Sequence, residues 1–424
     1  MYALYTVLLG LAFLLALPLY LWKDRATGKY RASFRERLGR LPPGLDRHGR
    51  PAVWVHAVSV GEVLTARPLV RALKQRLPAH AVIVSTTTVT GQALARRTLG
   101  EADAVFYAPF DWPGPVRKAI RAARPALLVL VETELWPNLI RGAKRHGARV
   151  AIVNGRISPR SFGRYRLVKP ALRRVLSEMD LFLMQAEAHA DRIRTLGAPG
   201  PRVRVTGNLK FDALDPSPPD GALVRLLLDG QPERCLWVAG STVPGEEEHV
   251  LAALREVRAR VPQLRVVLAP RHPERSGDVS ALVDKAGFVV DRRTALQDPW
   301  TGDVLVLDTL GELAQVYALA TVVFVGGSLE PHGGHNVLEP AVAGKAVIVG
   351  PHMQNFQEIA EEFRREGALV QIGAPAELGS AVADLLADPE RRLAIGARAR
   401  GLVARNRGAL ERTVDALAAL TAPV

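Results

Sequence analysis

Short unbroken apolar runs alternate along the chain with longer segments whose apolar positions recur every three to four residues. Runs without polar alternation are expected of parallel strands covered on both faces, and the segments between them have the spacing of crossover helices. The runs form two series. The first predicts strands at Ala52–Val55, Ala81–Ser85, Ala104–Tyr107, Leu127–Val131, Val150–Val153, Leu181–Gln185 and Val203–Val205. The second predicts Leu236–Ala239, Leu264–Ala269, Phe288–Asp291, Val304–Leu307, Thr321–Val325, Ala346–Val349 and Ala368–Ile372. Between them, Asp212-Ala-Leu-Asp-Pro-Ser-Pro-Pro-Asp-Gly continues neither strand nor helix, so residues 213–222 are expected to link two lobes. The predicted fold is α/β, with two Rossmann-like, doubly wound lobes, 23–212 and 223–424, that bind ligand at the carboxyl ends of their strands in a shared cleft. The last helix is expected to pack back on the first lobe.

A chain of 424 residues exceeds one ordinary core and fits two lobes plus an appendage. The appendage is Met1–Trp22, which holds no charged residue and, at about 1.5 Å per residue, is long enough to cross a bilayer. A secretory signal peptide is the competing reading, but the segment lacks a basic start and a clear small-x-small cleavage site. Trp22 stands where an interfacial anchor belongs. Lys23, Arg25, Lys29, Arg31, Arg35, Arg37 and Arg40 follow, and such a basic run keeps the next domain in the cytoplasm. The one cysteine, Cys235, excludes an intramolecular disulfide and fits a reducing compartment. A net charge of +14 calls for anionic partners, and beside an apolar anchor these are phosphates and lipid headgroups. No RNA-binding or helix-turn-helix signature accompanies the charge, so nucleic acid is not expected.

Candidate chemistry follows the strands. His56-Ala-Val-Ser-Val-Gly-Glu62 reads as strand, tight loop and helix start. Glu62 there is either a base held ionised by the helix terminus or a residue that merely stabilises the helix. Glu132 and Glu134, in Val131-Glu-Thr-Glu-Leu-Trp-Pro-Asn138, project the same way from extended chain, a poor structural choice without a ligand or a basic partner. Trp136 either lines a sugar pocket or packs in the loop. Lys210, in Thr206-Gly-Asn-Leu-Lys-Phe-Asp212, is placed to meet a leaving phosphate, its alternative being a solvated lysine.

In the second lobe, Ser241 and Thr242 close a strand before Gly245-Glu-Glu-Glu248, where free backbone N–H groups suit an anion. Pro270-Arg271-His-Pro-Glu-Arg275 sets Arg271 to fork onto a phosphate. Gly326-Gly-Ser328 and Gly333-Gly-His335 let backbone approach a ligand closely, Asn336 to Glu339 opens a helix with a carboxylate suited to ribose hydroxyls, and Leu310-Gly-Glu-Leu313 opens another. His332 and His335 lack the further ligands that a metal site needs, so neither metal nor cofactor is expected.

In order, HAVSVGE, VETELWPN, TGNLKFD, GSTVPGEE, APRHPER, LGEL and GGSLEPHGGHNVLEPA resemble the motif set of the 3-deoxy-D-manno-oct-2-ulosonic acid (Kdo) transferases, over nearly the whole chain. The resemblance implies a GT-B fold, CMP-Kdo as donor, a lipid A precursor (lipid IVA) as acceptor, and metal-independent inversion at the anomeric carbon on the cytoplasmic side of the inner membrane. It implies Glu62 as general base and Glu132 and Lys210 as transition-state stabilisers. Pro270, Arg271, Gly311, Glu312, Leu313, Asn336, Val337, Leu338 and Glu339 fall in its CMP-binding segments, and Ser241, Thr242, Gly327 and Ser328 are expected to join them. Val243, His332 and Val337 depart from the usual motifs. Two other readings are a GT-B enzyme using a UDP-sugar on another lipid, and a non-catalytic sensor of nucleotide or glycolipid.

Overall fold

The computed structural model describes residues 1–27, 31–42, 49–212, 219–229, 235–297 and 299–421, without the side chains of residue 17 and residues 19–32. Within it the chain divides into two compact units, Met1–Ala213 with Asn406–Val424, and Leu214–Arg405. Residues 213–218 of the expected linker lie outside the description, as do the side chains of Trp22, Lys23, Arg25 and Arg31 and the whole of Lys29.

Unit 1 opens with helices α1 (Tyr2–Thr27) and α2 (Arg31–Arg37). Strands β1 (Ala52–His56), β2 (Ala81–Thr86), β3 (Ala104–Tyr107), β4 (Pro125–Val131), β5 (Arg149–Gly155), β6 (Leu181–Met184) and β7 (Val203–Val205) follow. They are joined by α3 (Val60–Arg76), α4 (Val89–Thr98), α5 (Pro113–Ala123), α6 (Pro137–Arg145), the pair α7 (Pro159–Leu167) and α8 (Lys169–Ser177), and α9 (Glu187–Leu196). The sheet is parallel in the order β3-β2-β1-β4-β5-β6-β7. Its strand order reverses between β1 and β4, the place where doubly wound sheets bind ligands. The C-terminal helix Ala409–Thr421 belongs to this unit: Ala409, Val414 and Leu417 pack with α3, and Asp212 accepts bonds from the N–H groups of Gly408 (2.7 Å) and Leu410 (2.8 Å).

Unit 2 contains α10 (Gly221–Leu228) and strands β8 (Leu236–Thr242), β9 (Arg265–Pro270), β10 (Val290–Arg292), β11 (Val304–Val306), β12 (Val322–Val325), β13 (Val347–Val349) and β14 (Val370–Gln371). Helices α11 (Glu246–Arg258), α12 (Ser276–Lys285), α13 (Leu313–Leu319), α14 (Leu338–Val342), α15 (Gln357–Arg365), α16 (Leu378–Ala387) and α17 (Pro389–Asn406) surround them. The order β10-β11-β9-β8-β12-β13-β14, again parallel, reverses between β8 and β12. All fourteen predicted runs are strands, because sheets covered on both sides leave their central residues apolar and buried.

The N-terminal helix corrects one expectation. Among the described residues no helix is long and apolar enough to cross a membrane. The start of α1 is instead tied to the body of unit 1. The Tyr2 hydroxyl donates to Glu178 (2.7 Å), Tyr5 donates to Asp111 (3.0 Å), and the Asn138 amide donates to the Thr6 hydroxyl (3.0 Å). Arg141 stacks on the Tyr2 ring, and Phe13 meets the edges of Phe110 and Trp112. On the opposite side Leu4, Val7, Leu8, Leu11, Leu14 and Leu15 are all more than half exposed. This polarity is inverted relative to an ordinary surface helix, which buries its apolar stripe and leaves polar groups in water.

Candidate functional site

In unit 1 the loops after β1 and β4, on either side of the strand-order reversal, bring Glu62 close to Glu132 and Glu134. Ser59 caps α3 in extended conformation, and Glu62 stands at the third helical position. The Glu62 carboxylate accepts from the Val58 N–H (2.8 Å) and the Ser59 hydroxyl (2.8 Å), a variant of the capping box. Each oxygen keeps accepting capacity, so the capping role and a base role are compatible. Glu62 is only 6% exposed, and this burial, helped by the charges of Glu132 and Glu134, raises its pKa to about 7 against the pull of the two donors. A carboxyl so poised changes protonation near pH 7, so a reaction that used it as a base would fall tenfold per pH unit below about 7 and level off above it. A pH profile of kcat/KM checks this.

Glu132 holds a left-handed backbone (φ 59°) while its N–H continues the ladder to Val153. Burial raises the Glu134 pKa, and its carboxylate accepts from the Trp136 indole (3.1 Å). The Trp136 ring meets the buried His56 edge-on at 5.1 Å. His56, paired through Nδ1 with Ser85 (2.8 Å), is neutral because burial lowers its pKa to about 4.

Lys210 lies on the turn after β7, and a chain of amides fixes that turn. Asn154, fully buried and left-handed (φ 54°), accepts the Leu209 N–H on its side-chain oxygen (2.9 Å). The Gln185 amide donates to the Asn154 carbonyl (3.0 Å), Asn208 donates to Gln185 (3.2 Å), and Asn208 accepts the Lys210 N–H (3.0 Å). Asn tolerates this backbone region where Ala does not. Asn154→Ala therefore orphans the Leu209 N–H, and we expect destabilisation of about 1–3 kcal/mol, read by thermal melts.

In unit 2 the loops after β8 and β12 again flank the reversal. One side chain that sequence reading left unassigned binds them together. Glu246, fully buried, accepts the N–H groups of Val243 (3.0 Å), Gly327 (2.7 Å), Ser328 (2.9 Å) and Leu329 (2.9 Å). A Cβ on Gly326 would lie 2.6 Å from this carboxylate, so that turn admits only glycine. Glu247 next to it accepts from Thr242 (2.9 Å) and from Arg275 (2.9 and 3.3 Å).

Several groups of the expected donor site are engaged in bonds within unit 2. Thr242 and Ser328 are fully buried, the Thr242 hydroxyl donating to Glu247 and the Ser328 hydroxyl donating to Val325 and accepting from Gly350. At Gly327 and Ser328, where the backbone was expected to approach a ligand closely, the N–H groups bond to Glu246. Val337 and Leu338 have buried side chains, and Val243, the apolar departure, is likewise packed inside. Glu312 is held by Arg293 (2.8 Å) and by the Thr309 hydroxyl, between Gly311 (φ 92°) and half-buried Leu313.

Other expected groups do converge. The Arg271 N–H bonds to the Thr242 carbonyl (2.8 Å) directly after Pro270, and the Arg271 charge acts on both Glu339 and His335. Burial raises the Glu339 pKa, while the Asn336 amide (3.1 Å) and Arg271 oppose it. His335 is neutral, its pKa lowered to about 4 by burial and by Arg271, His332 and His272. Ser241, left-handed at φ 58°, bonds to the hydroxyl of the buried Tyr317, which also feels Glu339. Arg271, Asn336, Glu339, Ser241 and the histidines thus form one polar cluster at the carboxyl edge of the sheet. Among the described residues no group of three His, Cys, Asp or Glu side chains could hold a metal ion.

Residues 32–213 match the family described as 3-deoxy-D-manno-octulosonic-acid transferase (kdotransferase), and residues 248–402 match the glycosyl transferases group 1. The chain is 35% identical over 396 residues to the 3-deoxy-D-manno-octulosonic acid transferase of Haemophilus influenzae, covering 92% of this chain and 91% of the relative. It is 36% identical over 427 residues to the same-named protein of Bordetella pertussis, covering 97% and 98%. Among solved structures, a putative UDP-N-acetylglucosamine 2-epimerase from Listeria monocytogenes superposes with a TM-score of 0.59 at 14% identity, covering 87% of this chain and 96% of that one. That likeness bears on the fold, which is GT-B.

Proposed function

The chain belongs to the 3-deoxy-D-manno-octulosonic acid (Kdo) transferase family of glycosyltransferases, which places it in lipopolysaccharide core synthesis, and we propose that it transfers Kdo from CMP-Kdo to lipid IVA with inversion. The observation that carries the mechanism is the buried Glu62 carboxylate, with a pKa raised to about 7 beside Glu132 and Glu134. Glu62 takes the proton from a glucosamine hydroxyl as that oxygen bonds to the Kdo anomeric carbon. The carbon–oxygen bond to CMP breaks, and CMP leaves with the bonding pair. Glu132, on its strained turn, steadies the positive charge that develops on the sugar, and Lys210 meets the leaving phosphate. Arg271, Asn336 and Glu339 hold CMP, the arginine on phosphate or on the Kdo carboxylate and Glu339 on the ribose hydroxyls. A nucleoside monophosphate carries one phosphate, so fixed cations suffice and no metal is required.

The outward leucine face of α1 supports association with the cytoplasmic leaflet of the inner membrane, where a lipid acceptor resides. The helix enters the leaflet while docked on unit 1. A donor test decides between this reaction and a UDP-sugar transferase: turnover with CMP-Kdo and none with UDP-N-acetylglucosamine is expected, and the reverse preference refutes the assignment.

A further inference from the structure

We propose that Asp111 is a positioning residue for the transfer: it makes the seating of α1 on unit 1 a condition for the working placement of the loop Glu132–Trp136, and it rests on the reading of Glu62 as the base. The N-cap position of α6 is held by Trp136, whose side chain makes no capping bond. A helix start favours Ser, Thr, Asp or Asn there, because a short side chain can take the N–H groups of the second and third helical residues. In α6 those residues are Asn138 and Leu139, after a Pro137 that has no N–H to satisfy. Their N–H groups go to a carboxylate from the loop after β3, Asp111, which accepts them at 3.1 and 2.7 Å. With the cap supplied from elsewhere, position 136 is released for an indole.

The indole donates to Glu134 (3.1 Å) and meets His56 edge-on, and the Glu134 charge acts on Glu62. A buried carboxylate is a costly cap. Asp111 is 3% exposed, and burial raises its pKa to about 6 against the three donors that face it. A serine at position 136 would cap the helix without that cost, so capping alone does not account for the pairing of Trp136 with Asp111.

The third donor to Asp111 comes from α1. The Tyr5 hydroxyl reaches Oδ2 (3.0 Å), the same oxygen that takes the Asn138 N–H. The Asn138 side chain repeats the link, its amide donating both to the Asp111 carbonyl (2.6 Å) and to the Thr6 hydroxyl (3.0 Å). Two neighbouring residues of α1 therefore bear on the first turn of α6, which follows Trp136 directly. When α1 lifts, Oδ2 keeps one donor and the Asn138 amide keeps one acceptor, so the turn and the indole before it are free to shift. A displacement of about 1 Å near the reacting groups costs on the order of a hundredfold in rate, which makes a loosened turn visible in kcat.

The test is transfer by the full chain from CMP-Kdo to lipid IVA dispersed in detergent, where partitioning onto a bilayer plays no part. Tyr5→Phe with Thr6→Val removes both bonds from α1 and leaves the Asp111 cap on α6 in place. In this chain kcat should fall about tenfold or more, with CMP affinity by calorimetry unchanged. The pH midpoint of kcat/KM should drop below the wild-type value of about 7, as Glu62 loses burial and the Glu134 charge, which both raise its pKa. Asp111→Asn should lower kcat as well, and the melting temperature with it, because the amide offers α6 one acceptor where the carboxylate offers two. Adding the α1 pair to Asp111→Asn should lower the rate no further, since both break one chain of bonds. Wild-type kcat and midpoint in the Tyr5→Phe, Thr6→Val chain, or rate losses that simply multiply in the combined variant, would overturn the proposal. A wild-type profile that stays flat through pH 7 refutes the base reading of Glu62 itself, and the proposal with it.

Discussion

Glu62→Gln is expected to leave unit 1 folded and to lower kcat by about 10²- to 10⁴-fold, the usual contribution of a positioned general base. Gln is the other residue that a capping box accepts, so its amide can still take the Val58 N–H and donate to Ser59. The substitution therefore removes the titrating group and keeps the helix start. Donor affinity should stay unchanged, and the pH dependence around 7 should vanish together with the rate. Glu62→Ala removes both cap and base, so a melting temperature below that of Glu62→Gln separates the two roles. Wild-type turnover in Glu62→Gln would assign the carboxylate to capping alone.

Glu246→Gln should damage unit 2 more than its isosteric shape suggests. The carboxylate offers two oxygens to four buried N–H groups, and glutamine offers one oxygen and sets an NH₂ group against the remaining donors. Two orphaned N–H groups cost about 2–6 kcal/mol in total, a large share of the 5–15 kcal/mol that holds a domain folded. The expected result is a strongly lowered melting transition and loss of CMP binding by calorimetry. Wild-type melting with full CMP affinity would mean that the β8 and β12 loops do not depend on this carboxylate.

These two glutamates mark what the sequence can and cannot reveal. The strands were legible because a sheet covered on both faces leaves an unbroken apolar run such as Leu127–Val131, whatever lies far away in the chain. Glu132 and Arg271 stand out in the sequence as polar residues that directly follow such runs, and Glu62 as the carboxylate at the start of the helix after the first of them, at the strand ends where doubly wound folds gather ligands. Glu246 does not. Three successive glutamates at a helix start look like favourable first-turn charges, and only the return of β12, about eighty residues later, shows the first of them to be internal.

Asn154 was hidden for the same reason. Before Gly155 it reads as an ordinary turn residue, yet its partner is the N–H of Leu209, fifty-five residues on. Helix α1 shows the opposite error, a local signal read too fully. Its apolar content suggests a span, and the contacts that dock it lie at Asp111, Asn138 and Glu178, more than a hundred residues away. Thr242 and Ser328 read as ligand-facing because small polar residues beside glycines suit a ligand and a buried hydrogen bond equally well, and in the fold their hydroxyls make buried hydrogen bonds.

The most direct measurement is the mass of lipid IVA after incubation with freshly generated CMP-Kdo and the intact chain, with Glu62→Gln alongside. A gain of one or more Kdo units that the variant fails to give is the predicted result; lipid IVA left unmodified while the protein binds CMP normally would contradict the assignment of donor and acceptor to this chain.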